Sequence, residues 1–290
     1  MKQMSPIVHR ASAPDDTAGG GADTPIAEAA ASFDLNKELL ASQGFFTPQG
    51  PSSRLALELR AIKRRLLRRL DYKKRGQRRR PASGASRKRP RNLIMVTSTR
   101  PAEGKTFTSI NLALSLAIED NIGTVLVDAD APRPKVMKHF GLDAGGMGFT
   151  DLLARPSDVH VREALRREHT HKLALIGEGT ERARSTELYS RDEAGVFLKD
   201  LSARFPDRLI ILDAPPVLAT PEAALLAPHV DEIIFVVEAN ETPEPAVATA
   251  IDELLDANDR ISLVLNRALV AENVIHYGSY DEYYDKADRD

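Results

Sequence analysis

The chain has 290 residues, 42% of them hydrophobic, with 40 Lys and Arg against 42 Asp and Glu and no cysteine. That length suits one substantial core with flanking segments, and the lack of cysteine excludes disulfides and Cys-ligated zinc or iron–sulfur centres. The net charge of −2 hides an asymmetry, because residues 60 to 91 hold 16 Lys and Arg against Asp71 alone.

Residues 1–50 are rich in Ala, Gly, Pro, Ser and Asp and show no sustained periodicity, so they are predicted to be disordered. Met1–Pro6 has no apolar signal core. In 51–75, Leu55, Leu59, Ile62, Leu66, Leu67 and Leu70 recur at helical spacing after Ser52 or Ser53, which predicts an amphipathic helix with a basic face. Residues 76–91 mix Arg with Pro, Gly and Ser and read as a basic linker. This basic block is either a solvated surface or a site for an anionic partner, membrane or nucleic acid.

A folded domain is expected over 92–270. Apolar runs at Leu93–Thr97, Thr124–Val127, Leu173–Ile176, Leu209–Leu212, Glu232–Val237 and Ser262–Leu265 alternate with helical patterns. This predicts an α/β fold, a parallel sheet flanked by helices. The apolar runs fall well short of the roughly 20 residues that span a bilayer, so a cytoplasmic protein is expected. Residues 271–290 form a tail with Tyr277, Tyr280, Tyr283 and Tyr284, too poor in aliphatic residues for a core.

Three segments carry chemistry. Thr99-Arg100-Pro101-Ala102-Glu103-Gly104-Lys105-Thr106 follows the first strand and opens a helix, which is the context of a Walker A phosphate loop. In such a loop the backbone N–H groups of Pro101 to Phe107 that exist wrap phosphate, Lys105 reaches the β- and γ-phosphates, and Thr106 ligates Mg²⁺. Thr99 stands where the common motif begins with Gly. Asp128 and Asp130 end the second run, and Asp213 ends the fourth. Acids at strand ends lie where open parallel sheets bind ligands. The expected cofactors are therefore ATP and Mg²⁺, with Asp130 and Asp213 holding the metal's hydration shell. Asp128 is the candidate base for an incoming hydroxyl, although Asp128 and Asp130 can exchange these roles.

These motifs resemble the bacterial tyrosine kinases of capsule and exopolysaccharide systems, within the MinD/ParA-like group of P-loop NTPases. The Walker A, A′ and B segments of that family look like Thr99–Thr106, Val125–Asp130 and Ile210–Asp213. Ser185-Thr186-Glu187-Leu188 and Pro215-Pro216 are also similar to family segments. Arg100 occupies the place of the deviant lysine of MinD-type ATPases, and the tyrosine tail is a kinase feature. The resemblance implies an ATP-dependent protein-tyrosine autokinase, with Tyr277, Tyr280, Tyr283 and Tyr284 as phosphoacceptors and delivery in trans within a homo-oligomer. It also implies a transmembrane polysaccharide co-polymerase as activator, a phosphotyrosine phosphatase, and peripheral association with an anionic inner membrane; nucleic acid is not the expected partner. The layout is compatible with the exosortase-associated subgroup. Leu263-Val264-Leu265-Asn266-Arg267 is similar to a strand end of the superfamily, which places Asn266 either near the adenine or at a turn cap. The competing reading is a nucleotide-switched positioning ATPase that binds membrane or DNA.

Overall fold

The computed structural model describes residues 31–47, 54–72, 89–118, 122–169 and 172–268. Eight strands form one sheet: β1 (Ala31–Phe33), β2 (Leu93–Ser98), β3 (Gly123–Asp128), β4 (Leu165–Glu168), β5 (Leu173–Ile176), β6 (Arg208–Asp213), β7 (Glu232–Glu238) and β8 (Ile261–Asn266). Their spatial order is β1-β4-β5-β3-β6-β2-β7-β8. Every pairing is parallel except β4 with β5.

The central strands are apolar on both faces because helices cover both. Along β2, Leu93 and Met95 enter one core with Phe149, Leu198 and Leu201, while Ile94 and Val96 enter the other with Ile110, Leu114 and Leu66. Such double-sided burial explains continuous apolar runs in place of alternation. The helix Lys105–Ile118 is buried nearly all round. A helix apolar on every side needs cover on every side, and here the amphipathic helix Arg54–Arg69 supplies part of it through Ala56, Leu59 and Leu66.

Three expectations are corrected. Residues 31–47 lie inside the segment predicted to be disordered, yet they form β1, a helix at Lys37–Ser42, and a Phe45-Phe46 anchor. Phe45 stacks on Phe107 with ring centroids 5.3 Å apart, and the Phe46 N–H donates to Asn111 Oδ1 at 2.6 Å. Too few apolar residues are involved to show a period, and their partners lie 60 or more positions away. The six expected runs pair in parallel throughout, but the sheet continues through β4, Leu-Arg-Arg-Glu, too polar to read as a strand, which pairs antiparallel with β5. The end of the basic linker is also anchored: Arg89 holds both oxygens of Asp231, at 2.5 and 3.0 Å. The remaining residues of 1–30, of the linker, and all of 269–290 lie outside the described residues, and so do the four tail tyrosines.

Asp231 Oδ2 also accepts the buried Leu93 N–H at 2.9 Å, fixing the start of β2. Asp231→Ala strands that N–H and removes the carboxylate partner of Arg89, which keeps its bond to Ser202 Oγ. An unfolding free energy lower by about 2 to 3 kcal/mol in a urea titration is expected.

Candidate phosphate-transfer site

The P-loop leaves β2, the Asp128–Asp130 segment leaves β3, and Asp213 ends β6, which lies between them. Asp128 and Asp213 are cross-strand neighbours in the β3–β6 register. Three motifs whose last residues, Thr106, Asp130 and Asp213, lie 24 to 107 positions apart in the chain thus meet at the carboxyl edge of adjacent strands, the position that open α/β sheets use for ligands.

The loop turns at Ala102 and Gly104, with φ of 73° and 94°. Thr99 is not among the described non-glycine residues with positive φ, so the missing first glycine costs no backbone strain. Gly104 is required by space as well as by φ, since a Cβ there would sit 2.0 Å from Asn266 Nδ2. That amide donates to the Glu103 carbonyl at 2.9 Å. Asn266 therefore braces the loop from the end of β8. Glu103 is a second brace: Oε2 accepts the Arg100 N–H at 2.8 Å and Oε1 accepts the Thr242 hydroxyl at 2.6 Å. The segment after Asp213 zips onto the loop start, with Val217 N–H on Ser98 O and Leu218 N–H on Thr99 O. Pro101 and Ala102 are exposed at the tip. Phe107 lines a cavity of about 300 Å³ with Leu55, Leu59, Ile62 and Asn266.

Lys105 and Thr106 begin the helix, both largely buried. The Lys105 ammonium pairs with Asp130 Oδ2 and lies 3.4 Å from Thr106 Oγ1. Burial alone would depress the ammonium's pKa, but Asp213, Asp130 and Asp128 outweigh it and the pKa is raised. Lys105 therefore stays charged at neutral pH.

The three acids are not equivalent. Asp128 is fully buried: Oδ2 accepts the Lys135 and Val136 N–H groups at 2.9 Å, and Oδ1 accepts the Asp130 N–H at 3.2 Å. Burial, with Asp213 adding, pushes its pKa well above the carboxylate range against the pull of those two donors. Asp213 accepts the Ser109 hydroxyl at 3.0 Å on Oδ1, while Oδ2 is buried and makes no hydrogen bond among the described residues. Its pKa is raised by burial, and Lys105 and the nearby Thr106 hydroxyl pull the other way. Asp130 faces Lys105 and accepts the Arg133 N–H on Oδ1 at 3.2 Å.

Sequence reasoning passed over three supports. Ser109 sits one turn beyond Lys105 and was legible as the next polar residue on that helix face. Tyr189, fully buried, donates to Ala129 O at 3.0 Å, between the two aspartates. Glu178 follows β5 and is buried near enough to raise the Asp128 pKa. Neither Tyr189 nor Glu178 carried a motif. Ser185 and Thr186 both bond Glu222 Oε1, tying the helix of Tyr189 to the one after the Asp213 loop.

A phosphate loop joined to strand-end acids on a mostly parallel sheet defines a P-loop nucleotide-binding domain. The crystal structure of the VpsO kinase domain is 32% identical, covering 61% of this chain and 85% of that one with a TM-score of 0.54. The tyrosine-protein kinase CpsD of Streptococcus agalactiae is 27% identical over 192 residues, 66% of this chain and 81% of CpsD. EpsB of Ralstonia nicotianae is 29% identical over 192 residues, and the chain spans 25% of its length. No protein-family model matches the chain. The chain belongs to the bacterial tyrosine kinase family of P-loop proteins.

Proposed function

We propose that this chain is a Mg²⁺·ATP-dependent protein-tyrosine autokinase whose acceptors are Tyr277, Tyr280, Tyr283 and Tyr284, acting in exopolysaccharide or capsule synthesis. The observation that carries it is the convergence of Lys105, Asp130 and Asp213 beside a P-loop that turns at Gly104 with φ of 94°. The relatives' names support the kinase reading, and four tyrosines within the last 14 residues supply acceptors.

The residues present fit a Mg²⁺-bound triphosphate. The loop turns through Ala102 and Gly104 at positive φ, and Asp213 Oδ2 is a buried acceptor with no hydrogen bond among the described residues. Among the described residues no group of three or more His, Asp and Glu forms a metal cage. Mg²⁺ held by Thr106, with Asp130 and Asp213 in its outer shell, would draw most ligands from water and phosphate, as this ion commonly does. Bound there, it supplies charge neutralisation for phosphoryl transfer.

Lys105 would exchange Asp130 for phosphate oxygens and stabilise the charge developing on them. Pro101 through Phe107 frame the phosphates and Asn266 holds the frame shut. Phe107 and Asn266 also border the 300 Å³ cavity, an apolar wall suited to a purine. For the proton of the incoming phenol, the ordinary pKa near 10 makes a base useful only late. Asp130 fits that task better than Asp128, whose oxygens are committed to backbone donors.

Among the described residues no helix is long and apolar enough to cross a membrane. A membrane-bound co-polymerase as activator, homo-oligomeric trans delivery, a matching phosphatase and contact of the basic 60–91 block with anionic lipid complete the proposal.

Intact mass and peptide mapping of the full chain after incubation with Mg²⁺·ATP test it. Phosphate confined to residues 277–284, and lost on truncation before Tyr277, is the expected result. ATP turnover with an unmodified tail would replace the kinase by a nucleotide-switched ATPase.

A further inference from the structure

The segment Arg133-Pro134-Lys135-Val136-Met137-Lys138 continues directly from the Asp128–Asp130 strand end. Its backbone is pinned to the site: the N–H groups of Arg133, Lys135 and Val136 bond Asp130 and Asp128. Its three cationic side chains are exposed, and among the described residues none of them forms an ion pair. Exposed Arg184 and half-buried Arg191 and Arg204, by contrast, all have carboxylate partners. The field of Lys135 and Lys138 reaches inward, where both help burial to lower the pKa of His139.

A run of unpaired cations beside a phosphate-transfer site fits an acidic ligand. The chain holds such a segment: in 277–290, Asp281, Glu282, Asp285, Asp288 and Asp290 stand against Lys286 and Arg289, with tyrosines interleaved. We infer that Arg133, Lys135 and Lys138 form a docking rim that selects acidic tyrosine segments, the 277–290 tail above all, by pairing with the carboxylates that flank each acceptor. The inference rests on the kinase reading and deepens it by naming the substrate class and the residues that read it. The rim is a specificity surface, set apart from the groups that hold nucleotide. Arg133 reaches the site through its backbone alone, which leaves its side chain free to read substrate.

The test uses the full chain with its own tail silenced, Phe at the four tyrosines and Asn, Gln and Asn at 281, 282 and 285. Two peptides are offered as substrates, residues 274–290 and the same peptide with those three acids made neutral. The native peptide is expected to show a KM about tenfold below the neutral one, a gap that shrinks at high salt. R133Q/K135Q/K138Q should erase the gap while leaving KM for ATP unchanged. Equal KM values for both peptides on the unaltered rim overturn the inference, with the kinase reading intact. A rise in KM for ATP in the triple variant overturns it as well, by making the rim a nucleotide contact. So does loss of sedimentation with phosphatidylserine vesicles when peptide KM is unmoved, which assigns the rim to lipid. Absence of phosphotyrosine even on the unsilenced chain removes the kinase reading itself.

Discussion

Lys105→Met is expected to cut phosphotyrosine formation by at least about 10²-fold, the usual cost of removing one preorganised group that stabilises transition-state charge. The variant should also report on the site's electrostatics. Lys105 is the cation that keeps Asp130 company and eases the ionisation of Asp213. Removing one member of a buried pair costs about 3 to 5 kcal/mol when the other stays charged. Here the carboxylates have an escape, since they can take up protons. Asp128 and Asp213 already have raised pKa values in the folded chain. Between the ordinary carboxylate range and those raised values the folded state holds protons that the unfolded state has released. Stability contributed by that protonation is present at low pH and is lost as pH rises through the folded pKa values. Without Lys105 the Asp213 value climbs further, so the melting temperature of Lys105→Met should fall below that of the parent chain mainly at high pH. Thermal melts from pH 5 to 9 check this, and parallel curves would mean that Lys105 has little hold on the acids.

Gly104→Ala is expected to weaken ATP binding by about 10²- to 10³-fold, and by two separable causes. A φ of 94° is strained for alanine by about 1 to 3 kcal/mol. The added Cβ would also meet Asn266 Nδ2 at 2.0 Å, an overlap that must displace the amide. Asn266→Ala in the same chain removes the overlap but not the strain, at the cost of the hydrogen bond to Glu103 O. The double variant should therefore bind a fluorescent ATP analogue better than Gly104→Ala alone, a non-additivity that a titration resolves. If the double variant is worse, Asn266 matters more as a brace than as an obstacle.

Much of this site was legible in the sequence, for a physical reason. Asp128 and Asp213 are the last residues of strands buried on both faces, where a continuous apolar run marks the strand and its end together, while Asp130 follows two residues on and Lys105 opens the helix after the loop that leaves β2. The six long runs all became strands within a residue or two. What escaped lacked a local signature. Three of the four residues of β4 are charged, and β1 is three residues long. Residues 31–47 gain order from β4 and from Phe107, Asn111, His139 and Phe140, so their folding depends on chain that comes later. Spacing also left open what holds Asn266, whose amide bonds the Glu103 carbonyl 163 positions away, a contact that no local pattern encodes.

The Phe45-Phe46 anchor makes the first turn of the phosphate-binding helix a mechanical terminal. Phe45 presses on Phe107, the residue after Thr106, and Phe46 hangs from Asn111 one turn further on. Anything that tugs on the chain before Ala31 is then geared to the P-loop through two aromatic rings, with no domain motion between. A tether at that end would act less as a leash than as a clutch.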